Sequence, residues 1–371
     1  MSMTKHFFHP DYELAAAAFA NYADSDAEAQ VAVYVGGQLV LDSAANIAPD
    51  ALTTVYSVSK ALATIALAKL VEAGKLDLDQ KVSHYWPEFA AAGKGQITIR
   101  QLFSHQAGIP ETDSQLTPEQ YLSDHDAAIA LAAQKPFWLP GNAHGYHALT
   151  LGPLMSEVCF RITGQTIQQF YEAEVRSKAN SDAYLGLPEQ LEHRVAELLP
   201  GHPPTAEQLA KYGPPPGFRP GPYASHVFSG AGAFITSPAG RRFGLASASA
   251  MATARGLADT MQWAVGYGSA AGAVSADVLA DFAQAQVYGT DTVVGNQVRS
   301  YGIGFMKPTS SFAFGSLKAF GHDGAAGSFI MADPIGQIVV GYTLRRLEYP
   351  GGMDPRLFTV LDAVRKVALA A

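Results

Sequence analysis

The apolar and polar positions divide the chain into a strand-rich start, a helical middle and a strand-rich end. Gln30–Val35 and Gln38–Asp42 are β-rich runs on either side of Gly36-Gly37. Two such runs around a two-residue glycine turn predict a hairpin. Upstream, Pro10-Asp11 followed by Tyr12–Tyr22 predicts a capped surface helix. Ser57–Ala73 is rich in Ala and Leu and stops at Gly74, which predicts another. Ala61, Leu62, Ile65, Ala66 and Leu70 make that helix apolar nearly all round, so it should lie at the centre of the molecule. Thr98–Ser104, His147–Ile162, Thr166–Arg176 and Thr253–Val265 also read as helices. Pro200–Pro222 holds eight prolines and four glycines and reads as a long ordered loop.

Strands return at Tyr301–Met306, Phe312–Phe314, Lys318–Phe320, Ser328–Ala332 and Gln337–Leu344, with Asp333–Gly336 as the last turn. Pro355–Ala370 closes the chain as a helix. This order predicts an α+β fold. One antiparallel sheet would carry the terminal helices on one face and the Ser57 helix on the other, with a mainly helical lobe inserted between its halves. Residues 1–80 and 240–371 would form the sheet lobe, and residues 81–239 the helical lobe. No internal repeat is visible.

Composition narrows the class. With 371 residues, 48% hydrophobic and 16% charged, the chain is a globular one. A net charge of -8 without a long run of one sign argues against nucleic acid or an anionic membrane as partner. Cys159 is the only cysteine, so neither an intrachain disulfide nor a cysteine metal cluster is expected. Met155, Val158 and Phe160 around it suit a buried, inert thiol. Pro10, Asp11 and Glu13 interrupt any apolar stretch before Ala15–Ala20, so the N-terminus does not read as a secretory signal. No apolar run reaches the ~18 residues of a membrane span. A soluble cytoplasmic protein is the expectation, with its oligomeric state open.

Three groups of residues could carry chemistry. Ser57-Val58-Ser59-Lys60 opens the apolar helix. Positions i and i+3 share a helix face, so the Lys60 amine can reach the Ser57 hydroxyl. It can take the hydroxyl proton only if burial lowers its pKa. Ser2-Met3-Thr4-Lys5 matches the same spacing, but a chain end offers no cavity. Tyr146 follows the loop Pro140–Gly145 and precedes an apolar helix, which places its hydroxyl at a junction. Gly321–Ala325 precedes a strand, and small residues at Gly324, Ala325, Ala326 and Gly327 would let a ligand approach the main chain.

Taken in order, these motifs resemble the serine β-lactamase and penicillin-binding-protein superfamily. Within it the chain is most similar to the class C β-lactamase-like branch and to family VIII carboxylesterases. The resemblance rests on Thr54–Ala61, Gly74–Asp79, Thr98–Gly108 and Pro140–Ala148, and spans nearly the whole chain. It implies that Ser57 is the nucleophile, Lys60 its proton partner and Tyr146 the first residue of a Tyr-x-Asn element. His322-Asp323-Gly324 matches the Lys-Thr-Gly element, making His322 and Gly324 substrate-binding positions. The N–H groups of Ser57 and Ala325 would form the oxyanion hole. Ala148 stands where that pattern has Asn, and His322 where it has Lys.

These readings point to a carboxylesterase acting on small or medium esters without metal or organic cofactor. Phe137-Trp138-Leu139-Pro140 and Pro214–Tyr223 are candidate pocket walls, with Trp138 as a substrate contact. The rivals are other acyl chemistry at the same serine (β-lactam, D-amino-acid amide, acyl transfer) and a non-catalytic ligand-binding relative. An α/β-hydrolase is disfavoured, because no Gly-x-Ser-x-Gly occurs.

Overall fold

The computed structural model describes residues 2–22, 25, 27–113, 116–212, 231–269, 272–294, 297–347 and 351–370. The candidate wall Pro214–Tyr223 lies outside them. Six antiparallel strands form the main sheet, in the order Met3–Phe8, Gln38–Ala45, Ala29–Val35, Ile338–Leu344, Phe329–Asp333, Phe320–Asp323. The two ends of the chain therefore meet at the centre of the sheet, where Ala29–Val35 pairs with Ile338–Leu344. The predicted hairpin turn is present, and Gly36 and Gly37 both take positive φ, 54° and 80°. A side chain would be strained at either position.

Alternation along the strands separates two cores. Val31, Val33, Phe329, Met331, Val340 and Tyr342 face the terminal helices, Glu13–Ala20 and Leu357–Ala368. Ala32, Phe320, Ile330, Ala332 and Val339 share a core with the Val58–Glu72 and Ala254–Val265 helices. That is the predicted layering. Leu62, Ile65, Leu67 and Leu70 of the Val58–Glu72 helix are buried. Each contributes about 1.5–3 kcal/mol through lost water contact. A helix apolar on every side fits only between the sheet and the helical region.

Several elements differ from expectation. Met3–Phe8 is an edge strand, and Lys5 in it pairs with Asp42 at 2.6 Å. The second Ser-x-x-Lys is therefore paired backbone and not a loose end. The first helix starts at Glu13, after a short 3₁₀ turn over Pro10–Tyr12. The predicted helix from His147 begins at Leu151: the carbonyls of Ala148 and Leu149 accept from Lys60 Nζ and Ser247 Oγ, and the Gly152 N–H donates to Ser247 Oγ. Ile167–Tyr171 is α-helical, and Glu172–Arg176 continues as a π-helical turn. Val298–Tyr301 is a strand, whereas Phe312 makes a single bridge to Thr309. The strand expected at Lys318–Phe320 runs over Phe320–Asp323. Within Pro200–Pro222, Ala206–Tyr212 forms a short helix. Among the described residues no helix is long and apolar enough to cross a membrane.

Candidate active site

Ser57 is the residue before the central helix, and the chain enters it through Tyr56, which holds a positive φ of 45°. A non-glycine residue there is uncommon and strained. The entry is fixed from outside, since the Val55 N–H donates to the Ala250 carbonyl at 3.0 Å and the Ala250 N–H to Ser59 Oγ at 2.9 Å.

One helical turn on, Lys60 is wholly buried. Its Nζ lies 3.2 Å from Ser57 Oγ and donates to the carbonyls of Ala148 at 2.7 Å and Ser247 at 2.8 Å. Burial holds its pKa well below the ordinary lysine value, and the charge of Asp323 offsets this only in part. Ala148, which lacks the amide expected by pattern, thus serves through its main-chain oxygen.

The Tyr146 ring sits 4.8 Å from Lys60 Nζ. Burial raises the pKa of its hydroxyl, and a hydrogen bond with the Ser57 side chain pulls it back somewhat. Ser57, Lys60 and Tyr146 are therefore brought together, from a helix start and from a loop 86 residues further along. His105, which the sequence reading did not single out, packs against Tyr146 at 5.0 Å between ring centres. It is buried with a positive φ of 64°. Its Nδ1 accepts the His147 N–H, so the proton of the neutral ring sits on Nε2.

His322 pairs with Ile330 across the sheet and shares its face, the one toward Lys60. Its ring lies 6.0 Å from that of Tyr146. Burial lowers its pKa to about 3, with the Lys60 charge adding to the shift. The imidazole is thus neutral, and its Nδ1 meets the Asp323 carbonyl at 2.7 Å. Nε2 is buried without a partner among the described residues. Asp323 turns to the opposite face, where its Oδ2 accepts the Met353 N–H at 3.3 Å.

Gly324 requires a correction. Its N–H is used by the Ser328 carbonyl at 2.8 Å, and a Cβ there would stand 2.2 Å from the Val55 carbonyl oxygen. The close approach it permits is that of the protein's own chain, not of a ligand. It lays Gly324 alongside Val55 and Tyr56, at the entry to Ser57. The N–H groups of Ser57 and Ala325 meet no acceptor among the described residues, and Ala325 is exposed. Trp138 is also placed differently. Its indole is buried against Ala148 and Val293, and its Nε1 donates to the Ala143 carbonyl at 3.1 Å. It supports the Tyr146 loop from behind. Cys159 is buried, with its thiol pushed up to about 12 by burial.

Among the described residues no group of His, Cys, Asp or Glu is arranged to hold a metal ion. What the cluster offers is a hydroxyl beside a buried amine and a phenol. That set can run acyl transfer through a serine ester.

Comparison with known proteins agrees with this geometry. The chain is 33% identical over 181 residues to the esterase/beta-lactamase LipL of Mycobacterium tuberculosis, covering 46% of this chain and 42% of that protein. The match spans under half the length of that curated relative. Among solved structures, EstA from Arthrobacter nitroguajacolicus Rue61a superposes with a TM-score of 0.87 at 35% identity, over 100% of this chain and 99% of that one. A family VIII carboxylesterase gives 0.86 at 28% identity, over 99% and 100%. The sequence model of the Beta-lactamase family matches residues 15–365. The chain belongs to the beta-lactamase family, within the superfamily of serine β-lactamases and penicillin-binding proteins.

Proposed function

We propose that this protein is a serine carboxylesterase that cleaves small or medium carboxylic esters through an acyl-enzyme on Ser57. The observation that carries the reading is the environment of Lys60. A neutral amine has two N–H donors and one lone pair. Two carbonyls, of Ala148 and Ser247, take the donors, which leaves the lone pair for the Ser57 hydroxyl at 3.2 Å. Burial favours this neutral form. Lys60 then accepts the Ser57 proton as the oxygen attacks the ester carbon. The Tyr146 hydroxyl, kept protonated by burial, gives its proton to the departing alcohol and recovers one from the Lys60 ammonium, so the Ser57 proton is passed on. The N–H groups of Ser57 and Ala325 receive the oxyanion, and each such donor supplies about 10²–10³ in rate. Water activated by the same pair releases the acid.

The substrate class follows from what the site does not offer. Ala148 has no side-chain amide to orient an amide substrate, and neutral His322 is no anchor for a substrate carboxylate. The charged hydrogen bond missing at His322 would contribute about 1.5–3 kcal/mol, roughly 10- to 150-fold, and the neutral one missing at Ala148 about 0.5–1.5 kcal/mol, roughly 2- to 10-fold. The similar structure described as a family VIII carboxylesterase, and the esterase part of the LipL name, support the same choice. The test is steady-state kinetics on a short-chain p-nitrophenyl ester and on a chromogenic cephalosporin. The ester should be preferred by at least 10²-fold in kcat/KM. Comparable values would put β-lactam hydrolysis in its place.

A further inference from the structure

Asp291 lies just after the Val287–Thr290 strand, 145 residues beyond Tyr146, and is buried. Its Oδ1 accepts the Tyr146 N–H at 3.1 Å, together with those of Val293 at 2.8 Å and Val294 at 2.9 Å. Its Oδ2 accepts the Tyr301 hydroxyl at 3.1 Å. Tyr301 in turn stacks on Tyr146, with ring centres 6.0 Å apart and planes within 9°. The carboxylate thus grips the Tyr146 main chain with one oxygen and backs its ring, through Tyr301, with the other.

The neighbouring amides are held as firmly. The Gly145 N–H donates to the His105 carbonyl at 3.1 Å and the His147 N–H to His105 Nδ1. Three consecutive N–H groups, 145 to 147, therefore point at acceptors from two distant segments. The turn after Asp291 also presses on Gly145, where a Cβ would stand 2.4 Å from Thr292 Oγ1. Tyr146 lies outside any helix or strand, so these contacts, and not regular structure, set where its hydroxyl goes.

We infer that Asp291 is the positioning residue of the site: its buried carboxylate fixes Tyr146 so that the hydroxyl meets Ser57. The inference rests on the reading of Tyr146 as the proton-transfer group. Other groups also face the phenol. Lys60 lies at 4.8 Å from the nucleophile helix, His105 at 5.0 Å, and His322 at 6.0 Å from the Phe320–Asp323 strand. The charges of Asp323 and Arg299 act on it with opposite signs. Burial lowers the pKa of Lys60, His105 and His322, so their neutral forms are favoured. The four hydrogen bonds to Asp291 come from three main-chain N–H groups and one phenol. Burial raises the Tyr146 pKa most, and the charge of Asp291 adds to it.

The test is Asp291→Asn, which keeps an oxygen for the main-chain donors and removes the charge, measured beside Tyr301→Phe. Active enzyme is counted by phosphonate titration, so that misfolded protein does not enter kcat. Asp291→Asn should lower kcat by about 10- to 10²-fold with KM little changed. Tyr301→Phe should lower kcat by a few-fold. In a Tyr146→Phe background, Asp291→Asn should add less than a factor of two. An unchanged kcat, or a loss wholly matched by fewer titratable sites, overturns the inference. So does an undiminished effect in the Tyr146→Phe background, which leaves the Tyr146 reading standing. A fully active Tyr146→Phe overturns that reading and the inference with it.

Discussion

Adding one methyl group at Gly324 should cripple the enzyme while leaving every proposed reacting group in place. A Cβ at this position would stand 2.2 Å from the Val55 carbonyl oxygen and 3.1 Å from its carbon, where ordinary contact begins near 3.4 Å. The obstacle is backbone, so no side-chain rotation relieves it. The strand end must retreat from Val55 by roughly an ångström, carrying the Ala325 N–H away from Ser57; a displacement of about 1 Å costs on the order of 10² in rate. The overpacking itself costs about 1–3 kcal/mol of stability. Gly324 has no positive φ, so the substitution strains nothing except this approach. The assay is kcat on a short-chain p-nitrophenyl ester with the phosphonate labelling rate and a thermal melt. Gly324→Ala should melt lower, yet remain folded at assay temperature with kcat and labelling both reduced about 10²-fold. Parental kcat and labelling in a folded Gly324→Ala would refute the proposed oxyanion role of Ala325.

Lys60→Met should lower kcat by at least 10²–10⁴-fold, and Lys60→Arg should not restore it, because a guanidinium stays charged at any working pH; ester hydrolysis by the purified variants checks both. The parent's rate should fall as pH drops through the depressed Lys60 pKa, tenfold per unit below it, and this acid limb should vanish in the residual activity of Lys60→Met. The linked stability has the same sign. Between the folded pKa of Lys60 and the unfolded value near 10.4 the unfolded chain binds the extra proton, so stability attributable to this residue rises with pH, which denaturant melts at several pH values report. Tyr146→Phe should reduce kcat by about 10²–10⁴-fold with a melting temperature close to the parent, since the ring keeps its packing against His105 and Tyr301.

Much of this site is local enough to be read from sequence. The Ser57–Lys60 spacing needs only helical geometry, and the apolar residues that follow say the helix is buried, so a buried lysine beside a serine could be anticipated. Gly36-Gly37 declares its turn for the same reason of short range. The misses share a cause, which is that contacts from far along the chain override the local pattern. The apolar run from His147 looks helical, but its Ala148 and Leu149 carbonyls are claimed by Lys60 and Ser247. Met3–Phe8 has a mixed polar face because it is a sheet edge, where one side stays wet. Gly324 was legible as a close approach, but not as an approach to Val55. Asp291 and Tyr301 belong to a hairpin whose sequence carries no catalytic pattern. Their meaning appears only when it is laid against Tyr146.

The central claim is that Ser57 becomes acylated. Incubation with an activated p-nitrophenyl phosphonate, followed by peptide mass spectrometry, should place one adduct on the peptide bearing Ser57, with loss of activity in step with labelling. Ser57→Ala should take no label and lose about 10⁴–10⁶ in kcat. An adduct on another serine, or turnover retained by Ser57→Ala, would contradict the account.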